Sequence, residues 1–192
     1  MKLLIRVFFL VLFASTINIL IVLAQPTIYI VRHAEKLPNW PGDSLQTFQP
    51  LSREGIARAE KLAKHFDTKS LTAIYSSMTT RTLHTALPLA QKLKLTIKVA
   101  QACMDTSAID EFFAELKKQY GPNRAILLVT HSNIIPYMLM KAGLPGDCQE
   151  RMGFTTSPDH SWIVIKGYDH IWKVERLGEM GMNCEGFKRI KF

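Results

Sequence analysis

Beyond residue 24, short apolar runs alternate with segments whose apolar residues recur every third or fourth position. Thr27–Val31 (Thr-Ile-Tyr-Ile-Val) is a β-branched apolar run, the pattern of a buried strand. Lys36–Pro50 carries three prolines with Gly42 and Asp43 and predicts a surface loop. Ser52 is placed to cap a helix reaching about Phe66, with Ile56, Ala59, Leu62, Ala63 and Phe66 on one face. Leu71–Tyr75 predicts a second strand. A helix follows from about Thr79 to Leu93, which Pro88 is expected to kink or divide. Thr96–Val99 predicts a third strand, and Ile109, Phe112, Phe113 and Leu116 mark a helix ended by Gly121-Pro122. Ala125–Val129 is the second strongly apolar strand, and Ile134–Ala142 a helix stopping at Gly143. Ser161–Ile165 and Ile171–Glu175 alternate as a closing antiparallel pair around Gly167. Continuous apolar strands separated by helices imply an α/β fold, a mainly parallel sheet covered on both faces.

The first 24 residues stand apart from this pattern. Lys2 and Arg6 precede an apolar stretch, Val7–Leu23, and Val22-Leu23-Ala24 fits a cleavage site that leaves Gln25 as the mature N-terminus. The competing reading is an uncleaved membrane anchor, since a spanning helix needs about 20 apolar residues. Cleavage is favoured, because the first strand begins near Thr27 and a tether that short would press the sheet against the headgroups. The expectation is an exported protein, periplasmic or extracellular, with 25–192 as one domain and no stable membrane insertion after cleavage. Net charge is +8. Loss of Lys2 and Arg6 lowers it by two, a balance that suits anionic substrates. The basic tail (Lys188, Arg189, Lys191) reads as a solvated terminus, too short to argue for nucleic acid. In an exported chain Cys148 and Cys184 are a candidate disulfide, with Cys103 left over. No CxxC or Cys/His cluster has metal-ligand spacing, so neither a metal nor another cofactor is expected.

In such a sheet ligands bind beyond the carboxyl ends of the strands. Three polar segments fall there: Arg32-His33-Ala34-Glu35-Lys36, Ser76-Ser77-Met78-Thr79-Thr80-Arg81, and Thr130-His131-Ser132-Asn133. They put two arginines and two histidines on one rim. That set suits phosphoryl transfer through a histidine. An imidazole nitrogen is a good nucleophile at neutral pH, and guanidinium groups clamp phosphate oxygens with charge-assisted hydrogen bonds.

Val31-Arg32-His33-Ala34-Glu35 resembles the Arg-His-Gly signature of the histidine phosphatase (phosphoglycerate mutase-like) superfamily. Ser76-Ser77 with Arg81 and Thr85-Ala86 is similar to its second block, Thr130-His131-Ser132-Asn133 to its third, and Leu51-Ser52 with Gly55 to its helix start. The four blocks keep the family's order over about residues 27–142. The resemblance implies a three-layer α/β/α sandwich around a mixed sheet, His33 as nucleophile, and Arg32, Arg81 and His131 as the phosphate pocket. Ala34 stands in place of the usual Gly. The family's longer acidic motif is not recognisable, and Asp105 is the candidate proton donor, with a helix cap as its competing role. Asp110 and Glu111 read as first-turn helix charges. His84, one turn beyond Arg81, is a candidate pocket residue; Glu35 is expected to orient an arginine or lysine of the loop; Trp40 and Phe48 are candidate lid residues, with burial against the sheet as their competing role. The expected function is hydrolysis of a small phosphorylated substrate or a phosphoprotein. A phosphoglycerate mutase-type phosphotransferase and a phosphate-binding module that has lost catalysis are the alternatives.

Overall fold

The computed structural model describes residues 25–41, 43–67, 70–175, 177 and 183–192. The segment read as a signal lies outside them. Eight strands and five α-helices are described: β1 (Thr27–Arg32), α1 (Arg53–His65), β2 (Ala73–Ser76), α2 (Thr80–Leu93), β3 (Ile97–Val99), α3 (Ile109–Gln119), β4 (Ala125–Thr130), α4 (Ile135–Lys141), α5 (Gln149–Met152), β5 (Phe154–Thr156), β6 (Ile163–Ile165), β7 (His170–Val174) and β8 (Phe187–Lys191). A six-stranded sheet runs β3-β2-β4-β1-β7-β8, and β5 and β6 form a separate ribbon. β3, β2, β4 and β1 are mutually parallel, while β7 and β8 are antiparallel additions on the β1 side.

The two-residue period of the strands divides the core into two layers. Ile28, Ile30, Tyr75, Ile126 and Leu128 point to one face, where Ile109, Phe112, Leu116, Ile135, Met138 and Leu139 of α3 and α4 cover them. Val31, Ile74, Leu127 and Val129 point to the other, beneath Leu62, Ala63, Ala86 and Leu89 of α1 and α2. Both faces of β4 are fully buried, which explains its unbroken apolar run. This is the expected three-layer sandwich.

Local details depart from the sequence pattern in four places. Ile56 is 53% exposed, because α1 turns Gly55, Ala59, Leu62 and Ala63 inward instead. Pro88 does not divide α2, which is one helix from Thr80 to Leu93. The carbonyl deprived of its helical donor is that of His84, an exposed residue at which water is available. The strands around Gly167 form but do not pair with each other: β6 joins β5, and β7 joins β1 and β8. The tail read as a solvated terminus is the edge strand β8, with only its basic side chains in solvent. The Cys148–Cys184 disulfide is present, with Cα atoms 5.7 Å apart, and Cys103 is a buried free thiol.

The turn into α1 is the tightest approach near the strand ends. Ser52 Oγ accepts from Gly55 N at 3.2 Å, and Ser52 N donates to the Glu35 carbonyl at 2.9 Å. A Cβ on Gly55 would overlap that same carbonyl oxygen, so only glycine lets α1 rest on the segment after His33. Gly55→Ala is expected to destabilise the fold by about 1–3 kcal/mol, the usual cost of overpacking, read as a lower urea midpoint with an unchanged slope.

Candidate active site

The three parallel strands β1, β4 and β2 end side by side, and each delivers polar side chains where its apolar run stops. His33 follows β1 directly and prolongs the ladder, its N–H donating to the Thr130 carbonyl at 2.8 Å. His131 follows β4. Ser77 follows β2, and Arg81 lies in the first turn of α2. The imidazoles of His33 and His131 have centroids 5.3 Å apart. Arg81 Nη2 lies 3.5 Å from His131 Nδ1. The sequence-predicted quartet of Arg32, His33, Arg81 and His131 is therefore linked at one rim, Arg32 joining through Tyr168.

His33 is buried, at 5% exposure. Its Nδ1 lies 2.7 Å from the Ala34 carbonyl oxygen, which can only accept, so Nδ1 carries the hydrogen and Nε2 keeps its lone pair. Burial pushes its pKa down to about 3; the bond to the Ala34 carbonyl opposes this, and His131, Arg32 and Arg81 reinforce it. Burial likewise lowers His131 to about 4, with the charges of Arg81 and Arg32 adding to it. Arginine only donates, so His131 Nδ1 accepts from Arg81, and Nε2–H points to Ser77 Oγ at 3.0 Å.

Each guanidinium is held by neutral oxygens. Arg32 donates to the Gly167 carbonyl and the Tyr168 hydroxyl, both at 3.1 Å, and its Cζ stacks 3.9 Å over the Tyr168 ring. Arg81 donates to the Gln46 carbonyl at 2.6 Å, which ties the 36–50 loop to the site. Burial lowers the pKa of both groups. The Nε of each is buried without a hydrogen-bond partner among the described residues. Ala34 N donates to Thr85 Oγ1 at 2.9 Å, and Thr85 Oγ1 to the Arg81 carbonyl at 2.7 Å, joining the first two sequence blocks.

Tyr168 has no motif around it and was not among the expected site residues, and Gly167 was expected only as a turn. Gly167 has φ +79°, the turn that aims its carbonyl at Arg32. Ser77 and Thr85 lay inside a recognised block but without an assigned part. Glu35 orients an arginine of α1 rather than one of the loop, accepting from Arg58 Nε at 2.7 and 2.8 Å. His84 is exposed and lines a groove with Ile56 and Leu87; Thr85, four residues beyond Arg81, is the one turned inward. Phe48 is 63% exposed.

Asp105 caps a 3-10 turn over Thr106–Ala108. Its Oδ1 accepts from Ser107 N at 2.9 Å and Ser107 Oγ at 2.7 Å, and its Oδ2 from Gln101 Nε2 at 2.9 Å. These bonds hold its carboxyl below the usual range. It is hydrogen-bonded to none of the four rim residues. Among the described residues, the one group of candidate metal-ligating side chains is Asp147 with Cys148 and Cys184, whose sulfurs are joined in the disulfide.

The model of the histidine phosphatase superfamily (branch 1) matches residues 28–108, a span holding Arg32, His33 and Arg81. Similar solved structures extend the likeness in fold beyond that span. The protein histidine phosphatase SixA complexed with tungstate is 15% identical, with 86% of this chain and 96% of that one covered and a TM-score of 0.57. Mycobacterial glucosyl-3-phosphoglycerate phosphatase with VO3 is 14% identical, with 86% and 97% covered and a TM-score of 0.60. The α-ribazole phosphatase of Shigella flexneri is 15% identical, with 82% and 99% covered and a TM-score of 0.51. No curated protein matches the sequence. The histidine phosphatase match ends before His131 and Tyr168, which the tertiary structure brings to the same rim.

The depressed histidine pKa values have a measurable sign. Unfolded imidazoles bind protons from about pH 6.5 downward, whereas folded His33 and His131 do so only near 3 and 4. Between these limits the unfolded chain holds more protons, so the stability these two residues contribute is lost as pH falls through that window. Nitrogen NMR is expected to show both imidazoles neutral at pH 5.5. The slope of unfolding free energy against pH between 6.5 and 4 is expected to flatten in His33→Ala.

Proposed function

We propose that this protein hydrolyses phosphomonoesters or phosphoramidates through a phosphohistidine on Nε2 of His33. The observation that carries the reading is the bond from His33 Nδ1 to the Ala34 carbonyl at 2.7 Å. It fixes the tautomer in which Nε2 is the free nucleophile, and the depressed pKa keeps that nitrogen unprotonated at neutral pH. The two buried Nε–H groups of Arg32 and Arg81 suit an oxyanion bound between them, and their charge stabilises the phosphoryl group in transit.

The chemistry has two displacements. The Nε2 lone pair attacks phosphorus in line, and the bond to the leaving oxygen or nitrogen breaks, that atom taking the electron pair. Water then attacks the phosphohistidine, the N–P bond returns its pair to Nε2, and phosphate departs with the excess proton released to solvent. Nδ1 keeps its hydrogen throughout. His131, engaged by Arg81 and Ser77, positions the Arg81 guanidinium.

We give Asp105 no proton-transfer step. Its carboxyl is committed to Ser107 and Gln101 and is ionised at neutral pH. Without a dedicated acid, the site favours leaving groups that depart readily, such as aryl oxides or the nitrogen of a phosphoramidate or phosphohistidine. The likeness in fold to SixA, whose name describes a protein histidine phosphatase, supports the same substrate class. The basic-then-apolar segment 1–24 and the Cys148–Cys184 disulfide support an exported protein.

Purified protein incubated with p-nitrophenyl phosphate is expected to release nitrophenol, and His33→Ala to lower kcat/KM by at least about a thousandfold, as loss of a nucleophile does. Rapid acid-free quenching with labelled substrate is expected to trap an N-linked phosphoryl group that is stable to base and labile to acid. Equal turnover by wild type and His33→Ala would end the proposal. Asp105→Asn is expected to leave aryl phosphate turnover within about threefold of wild type; a loss near a hundredfold, the range for a general acid, would restore it as proton donor.

A further inference from the structure

A second cationic feature lies along the edge strand β8. His170 pairs with Lys191 and Trp172 with Arg189 across the β7–β8 ladder, so directly opposed residues put Arg189 and Lys191 on one face. On that face α5 packs close, Trp172 Nε1 donating to the Met152 carbonyl at 2.9 Å. The cleft between them encloses about 590 Å³, lined by Arg151, Met152, His170, Arg189 and Lys191 among others.

The positive charge of this cleft is only partly compensated. Arg189 has no ion pair among the described residues. Its guanidinium lies against the backbone of Gly153, where a Cβ would come within 2.6 Å of Nη1. Arg151 donates to the Cys184 carbonyl at 2.8 Å, a neutral acceptor. The Cys148–Cys184 disulfide holds that carbonyl beside α5. Lys191 is 3.4 Å from Asp169 Oδ2, with three-quarters of its side chain exposed. Lys188, on the opposite face, is already paired with Glu175 at 2.8 Å. The excess charge therefore belongs to one face of the strand.

One end of the cleft lies at the same end of the sheet as the catalytic rim. The β1–β7 register sets Val31 opposite Ile171, so His170 and Lys191 lie at the end of the sheet where Arg32 and His33 emerge. Tyr168, stacked on Arg32, is joined to His170 through Asp169, the partner of Lys191. Arg189 and Lys191 are two residues apart on a strand, about 6.5 Å along its axis. Alternate residues of an extended chain have the same spacing, so acidic side chains at every second position match them.

We propose that the Arg151–Arg189–Lys191 cleft docks an extended acidic polypeptide segment, the sequence flanking the phosphorylated residue of a phosphoprotein substrate. The substrate role rests on the phosphatase reading above; the docking itself does not. The test uses a fluorescein-labelled peptide with glutamate at alternate positions, its glutamine counterpart, and a phosphorylated version of the acidic peptide. The unphosphorylated acidic peptide is expected to bind wild type, more weakly as salt rises, and to bind Arg189→Glu at least roughly tenfold more weakly, while the glutamine peptide binds neither. For the phosphorylated peptide, Arg189→Glu is expected to raise KM with kcat unchanged, and to leave p-nitrophenyl phosphate turnover within about twofold. Equal binding of the acidic peptide by wild type and Arg189→Glu would overturn the assignment, as would equal binding of the glutamine peptide. Displacement by inorganic phosphate at concentrations matching the peptide would reassign the cleft to free phosphate and also overturn it. Absence of turnover by wild type would defeat the phosphatase reading alone, because the anisotropy measurement of peptide binding needs no catalysis.

Discussion

Two guanidinium groups and two imidazoles meet at one rim of the sheet, and no described carboxylate is hydrogen-bonded to any of them. Like charges held close and half-buried repel, and burial adds a desolvation cost for each. The molecule meets this with neutral acceptors: the carbonyls of Gln46, Gly167 and Ala34, the hydroxyls of Tyr168 and Ser77, and the face of the Tyr168 ring. Burial, with the same crowding of positive charge adding to it, keeps the histidines unprotonated. Unprotonated imidazoles and charged guanidinium groups thus share one buried arrangement.

That arrangement needs a rigid mount. Three parallel strands, bonded side by side and buried on both faces, end in register, which places His33, Ser77 and His131 within a few residues of one another without any long-range loop. Gly55 and Thr85 then brace the segment after His33 from two helices, one through the close approach to the Glu35 carbonyl and the other through the Ala34 N–H. The antiparallel additions β7 and β8 complete the rim from the other side. They bring Tyr168 onto Arg32 and, on their outer strand, the cationic cleft facing α5.

Asp105 shows how closely two roles can resemble each other in a sequence. A carboxylate just beyond a strand end, followed by Thr106 and Ser107, satisfies the requirements of both a rim acid and an N-cap. The capping contacts are formed: Ser107 and Gln101 engage its oxygens and stabilise the ionised form. A group stabilised as a carboxylate is a poor source of a proton.

Sequence by itself determined the layered α/β architecture and the quartet of Arg32, His33, Arg81 and His131. Both depend on local regularities: a two-residue period in strands, a helical period between them, and polar residues wherever an apolar strand stops. It also named Cys148 and Cys184 as a pair, although spacing alone could not require the bond. Tertiary structure alone decided which strand β7 joins, that the basic tail is the edge strand β8, and that Tyr168 rather than His84 completes the site. The first and last of these outcomes depend on surfaces that meet across 100 residues or more. Val31 opposite Ile171 and Arg32 against Tyr168 are such meetings. Periodicity records which face of a segment is buried, but not what buries it.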